Sequence, residues 1–184
     1  MKNIAQHILD ITQNAIRAKA TIVEIYIHHS EKENLLELII KDNGEGMNRE
    51  MVDRVTDPYT TTRNTRKVGM GIPLLKQNAE AANGKFAISS AEKHGTMVQA
   101  SFQLDHLDIP PMGDMTDTIT GLAAGNAESD FIVTFITDQG EYIFNTQEVK
   151  EVLDDTPIYD NQVVKYLKEM LAENIEANCN IKVT

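Results

Sequence analysis

The chain has 184 residues, 41% apolar and 24% charged, which fits a soluble globular protein of one domain or of one domain plus an appendage. No apolar run nears the ~20 residues that a bilayer span needs, and Met1-Lys2-Asn3-Ile4 leads into an amphipathic pattern rather than a signal peptide, so no membrane role is expected. The net charge of −11 falls wholly on residues 107–184, with 4 basic and 15 acidic residues, whereas residues 1–106 carry 13 of each; a surface so acidic repels phosphates and argues against a nucleic-acid partner.

Cys179 is the single cysteine and can form no internal disulfide, which fits a cytoplasmic location and excludes a cysteine-framed metal site. His7, His28, His29, His94 and His106 show no ligand-like spacing.

Ile4, Ile8, Ile11, Ala15 and Ala18 recur at helical spacing and predict a helix over 4–19. Thr21 to His28 then switches to period two, with Val23, Ile25 and Ile27 on one face, as a half-buried strand requires. Leu35 to Lys41 reads as a second strand, stopped by Asp42-Asn43-Gly44. Asn48 is placed to cap a short helix over 49–55. Residues 57–68 lack an apolar period and read as a loop carrying Arg63, Arg66 and Lys67. A helix resumes over 71–82, with Pro73 tolerable in its first turn and Asn83-Gly84 as its stop. Strands over 85–90 and 96–104 flank a turn at His94-Gly95. Residues 108–130, with Pro110-Pro111, Gly113, Gly121 and Gly125, read as a linker. Beyond it, 131–137 and 141–144 flank a hairpin turn at Asp138-Gln139-Gly140. Asn145 and Glu148 form a capping-box pattern for a helix to Leu153, and Val164, Leu167, Leu171 and Ile175 mark a longer helix over 161–177. Helices beside four strands in the order α-β-β-α-loop-α-β-β predict an α+β, two-layer α/β sandwich.

Four short segments carry chemistry in this frame. Asp10 and Asn14 lie one helical turn apart, so they share a face that could hold a hydrated cation or orient a water. Asp42-Asn43-Gly44-Glu45-Gly46-Met47 ends a strand: its glycines let a flat ligand approach, and its carboxylate can accept from an exocyclic amine. Val68-Gly69-Met70-Gly71-Ile72 opens a helix after a basic loop, where backbone N–H groups bind anions. Gly95-Thr96 starts the last strand. Singly, each pattern also fits an ordinary turn or solvated face.

In this order, the four segments resemble the N, G1, G2 and G3 boxes of the Bergerat-fold ATPases, the superfamily of gyrase, heat-shock chaperone, histidine kinase and mismatch-repair ATPases. The resemblance covers about residues 1–104. Asn14-Ala15-Ile16-Arg17 is similar to the histidine-kinase form of the N box, and Asp57-Pro58-Tyr59-Thr60-Thr61-Thr62-Arg63 resembles the stretch before the lid in those kinases. The resemblance implies ATP and Mg²⁺ as cofactors, with Asn14 as the metal ligand. It further implies Asp42 as acceptor for the adenine amino group, helped by Thr96 through a water, with Gly44, Gly46 and Met47 at the adenine pocket. Gly69, Met70 and Gly71 would face the phosphates, and Arg17 together with a basic lid residue (Arg63, Arg66 or Lys67) would offset their charge. Asp10 stands where hydrolysing members have Glu, the base or water-orienting residue.

The expected organisation is an ATP-binding domain over 1–107, a linker over 108–130 and a small acidic α+β unit over 131–184 that packs on that domain or on a protein partner. Two functions follow from the resemblance. One is an enzyme that hydrolyses ATP or passes its γ-phosphoryl group to a protein acceptor, with a homodimer as one assembly. The other is a non-catalytic module in which ATP switches affinity for a protein partner.

Overall fold

The computed structural model describes residues 1–56 and 71–180. Helix α1 (Ile4–Arg17) starts at Asn3, whose side chain accepts from Gln6 N, a cap of about 1 kcal/mol. It buries Ile4, Ile8, Ile11 and Ala15 along one stripe. Strands β1 (Ile22–Ser30) and β2 (Leu35–Asp42) form an antiparallel pair in which Ile25 faces Ile40 and Ile27 faces Leu38. Helix α2 (Arg49–Val55) is capped by Asn48, as its sequence predicts. Helix α3 (Gly71–Ala81) precedes the hairpin of β3 (Phe86–Ser90) and β4 (Thr96–Gln103), and β4 pairs with β2.

The second half joins the same sheet. Strand β5 (Asp130–Thr137) runs parallel to β1 from Ile22 opposite Asp130 to His29 opposite Thr137, and β6 (Glu141–Asn145) closes a six-stranded sheet of order β3-β4-β2-β1-β5-β6. Helices α5 (Thr146–Leu153) and α6 (Asn161–Cys179) follow, the latter burying Leu167, Leu171, Ile175 and Cys179. Asn145 caps α5, with Gln147 N donating to Asn145 Oδ1, but the full capping box is not made: Glu148 Oε1 accepts from the Asn145 side-chain Nδ2 rather than from its backbone N–H.

The expected linker over 108–130 needs correction. Residues Met115–Gly125 form helix α4, which packs against α1 and α6 and buries Met115, Ile119, Leu122 and Ala123. Those four apolar residues at i, i+4, i+7 and i+8 outweigh the low helix propensity of Gly121 and Gly125, because burial against two helices stabilises more than two glycines cost. Just before α4, Pro111 O and Met112 O accept from Ile4 N and Ala5 N, satisfying two of the N–H groups that a helix start leaves unpaired. The residues after 107 are thus no loose appendage: they supply two strands of the sheet and helix α4 beside α1. The result is a mixed α+β fold in two layers, with Val23, Leu38, Ala100, Phe102, Phe131, Val133 and Phe135 in the core between them.

Candidate functional site

Three strands end in polar residues on the face that the helices cover. Along β2 the buried alternation Leu36, Leu38, Ile40 ends at Asp42; along β4, Phe102, Ala100 and Val98 lead to Thr96; along β3, Phe86 and Ile88 lead to Ser90. The register sets Ser90 opposite Thr96 and Thr96 opposite Asp42. One row of hydroxyl, hydroxyl and carboxylate therefore lies at one end of the sheet. Asp42 Oδ1 accepts from Gly44 N at 2.8 Å. Burial pushes the Asp42 carboxyl above its ordinary value, and the N–H groups of Gly44 and Thr96 pull it back in part.

The turn after Asp42 interlocks with the β3–β4 hairpin. Gly46 has φ +66°, and a Cβ there would stand 1.9 Å from Ala91 O; Gly95 has φ +77°, and a Cβ there would stand 1.8 Å from Asp42 O. Only glycine fits either position, since both the conformation and the close approach exclude a side chain. Gly44 is crowded too, with Ala18 O 2.7 Å from a Cβ position. Asn43 Oδ1 accepts from Thr21 N and Ile22 N, which ties the turn to the start of β1. Met47 N donates to Ser90 Oγ at 2.8 Å, while the Met47 side chain packs against the core.

Helix α1 presents His7 and Asp10 to α3, with Asn14 one turn further along the same helix. Asp10 meets the first residue of α3: a Cβ on Gly71 would lie 1.8 Å from Asp10 Oδ2. Asp10 Oδ2 and Asn14 Nδ2 are buried atoms with no hydrogen-bond partner among the described residues. Arg17, exposed on the last turn, donates from Nη1 to Asn14 Oδ1 at 3.0 Å. His7 is fully buried, its Nε2 2.8 Å from Asn78 Nδ2 on α3. Burial lowers its pKa to about 4, with a smaller push from the positive N-terminus.

Asp10, Asn14, Arg17, Asp42, Gly44, Gly46, Met47, Gly71 and Thr96 are thus placed on α1, the β2 turn, the start of α3 and the start of β4. Arg63, Lys67, Gly69 and Met70 lie outside the described residues, as does the basic loop expected over 57–68. Ser90 lies outside the segments that the sequence singles out, and Asn43 is named there only as part of the turn after Asp42. The signal for Ser90 was available: an apolar period of two that breaks to a hydroxyl at the strand end which also breaks to Thr96 and Asp42.

Residues 2–106 match the model of the histidine kinase-, DNA gyrase B- and HSP90-like ATPase family. The chain belongs to this family. Its relatives include the cell-division control histidine kinase PdhS of Brucella anthropi, 29% identical over 55% of this chain and 11% of that protein. Sensor histidine kinase YxdK of Bacillus subtilis is 32% identical over 50% of this chain and 30% of that protein. The chain spans from 11% to 30% of the length of these two curated relatives. Among solved structures, the N-terminal domain of a DNA repair protein shares the fold with a TM-score of 0.53 at 16% identity, over 78% of this chain and 52% of that one. The chain therefore carries an ATP-binding domain of the histidine-kinase-like ATPase type. Among the described residues, no helix is long and apolar enough to cross a membrane.

Proposed function

We propose that the chain binds Mg·ATP with its base against Asp42 and Thr96 and its phosphates towards Asn14 and the start of α3, and that it hydrolyses the nucleotide or passes the γ-phosphoryl group to a protein acceptor. The single observation that carries turnover is Asp10 Oδ2, a buried carboxylate oxygen set against Gly71 with no partner among the described residues. An unsatisfied buried carboxylate oxygen costs stability unless something else meets it, and a water or metal-bound water is the matching group.

The donor set fits a hard cation that keeps most of its water. Asn14 Oδ1 is an oxygen ligand of the kind Mg²⁺ takes, with nucleotide phosphates and waters supplying the rest, while Asp10 would orient a water rather than bind the ion; the ion would offset phosphate charge. Asn14 Oδ1 is held by Arg17 in this structure, so the guanidinium would shift towards the phosphates as the metal takes the oxygen. A protein partner would meet a second half that holds the whole net charge, which a basic surface matches.

The test is turnover of γ-labelled ATP by the full chain against Asp10→Asn, with nucleotide binding measured in parallel. Retained binding with turnover lost in the variant supports Asp10 as the water-orienting group. Binding without turnover in the unmodified chain supports instead an ATP-switched module.

A further inference from the structure

Ser90 belongs to none of the four motif segments, yet it touches three of the elements that build the base pocket. Its Oγ accepts from Met47 N at 2.8 Å, donates to Gly95 O at 2.8 Å and lies 2.9 Å from Thr96 Oγ1. A serine hydroxyl has one proton and two lone pairs. Gly95 O can only accept, so it takes that proton; Met47 N can only donate, so it takes one lone pair. What remains for Thr96 is the second lone pair, and the contact is made only if Thr96 donates.

From this proton count, we propose that Ser90 is a specificity-determining positioning residue: it binds the Thr96 hydroxyl proton and leaves Thr96 Oγ1 facing the pocket as an acceptor. Thr96 stands beside Asp42 in the register, and the Asp42 carboxylate also only accepts when ionised. The wall of the pocket then presents acceptors alone. A bridging water does not change the sign. A water that gives one proton to Thr96 and the other to Asp42 turns only lone pairs to the ligand. Such a wall takes an exocyclic amino group and turns away an exocyclic oxo group at the same place. Without Ser90, Thr96 recovers a proton to offer, and discrimination weakens. This proposal rests on the assignment of the row as the base pocket.

The test is titration calorimetry of the full chain with ATP and with inosine triphosphate, which carries an oxo group where ATP has the amino group. The unmodified chain is expected to prefer ATP. Ser90→Ala should narrow that preference about tenfold, the size of one hydrogen bond. Thr96→Ser, which keeps the hydroxyl and its bond to Ser90, should retain the preference. Should Ser90→Ala fail to fold, Ser90→Cys keeps the volume with a far weaker acceptor and gives the same readout. Equal weakening towards both nucleotides in the Ser90 variant would mean a merely structural role and overturn the proposal while the pocket assignment stands. Failure of the unmodified chain to bind ATP would overturn the pocket assignment and this proposal with it.

Discussion

Asp10 Oδ2 lies 1.8 Å from the point where a Cβ on Gly71 would stand, so the α1 carboxylate fills space that α3 leaves open by having no side chain. In an ordinary helix, Gly→Ala gains about 1 kcal/mol from propensity. Here the new methyl would also stand 2.7 Å from Asp10 Cγ, so the carboxyl must rotate out of its half-buried place. Gly71→Ala should therefore destabilise the chain by about 1–2 kcal/mol, as overpacking does. The double variant with Asp10→Ala should recover that loss. Denaturant unfolding of the two single variants and the double variant checks this. Additive effects would show that the two residues do not meet.

His7 makes stability depend on pH in a definite direction. Its folded-state pKa of about 4 lies below the ordinary 6.5, so the unfolded chain binds its proton more tightly. Stability is fully present above pH 6.5 and falls as pH drops through 6.5 to about 4, by about 3 kcal/mol in total. A series of urea midpoints between pH 7 and pH 4 should show this slope in the unmodified chain and a shallower one in His7→Leu. Parallel slopes would mean that other groups carry the acid sensitivity.

Most elements were legible because each has a strong local period. Val23, Ile25 and Ile27 alternate without a break, and Asn48 stands at the cap of a helix whose bounds match the sequence expectation. What failed was α4, where Pro110, Pro111 and Gly113 lie upstream and two glycines lie within, and local propensity hid an apolar stripe that only tertiary burial makes decisive. The parallel pairing of β1 with β5 had no local signal, since it joins residues more than 100 positions apart. The pocket residues followed the same rule. Asp42 and its glycines form a motif within a few residues, whereas Ser90 acquires its meaning only when the register brings it to Thr96.

The pairing of β1 with β5 makes the second half a structural need of the first. A chain ending at residue 107 would lose the carbonyls of Pro111 and Met112 that accept from Ile4 N and Ala5 N. It would also lose α4 beside α1 and turn β1 from an interior strand into an edge. The expectation is a truncated product that is unfolded or aggregated, with no cooperative thermal transition. A folded 1–107 fragment that melts near the temperature of the full chain would show that the second half contributes little to the first.

Asp42 should set the base preference and the acid limit of nucleotide binding together. Asp42→Asn removes the charged acceptor and is expected to weaken ATP by about 1.5–3 kcal/mol, roughly 10- to 150-fold, as for a hydrogen bond to a charged group. Burial raises the pKa of Asp42 in the folded chain, so its contribution to folding is present below the ordinary carboxyl pKa and lost as pH rises through the raised value. Binding runs the other way, because the ionised carboxylate is the form that accepts from an amino group. As pH falls towards the carboxyl range, ATP affinity should drop before an ordinary surface aspartate would titrate, while the Asp42 contribution to folding improves. Asp42→Asn should show a flatter affinity profile. Calorimetric ATP titrations of both proteins from neutral pH down through the carboxyl range decide it: the same pH slope in the variant as in the unmodified chain would remove Asp42 from the base contact.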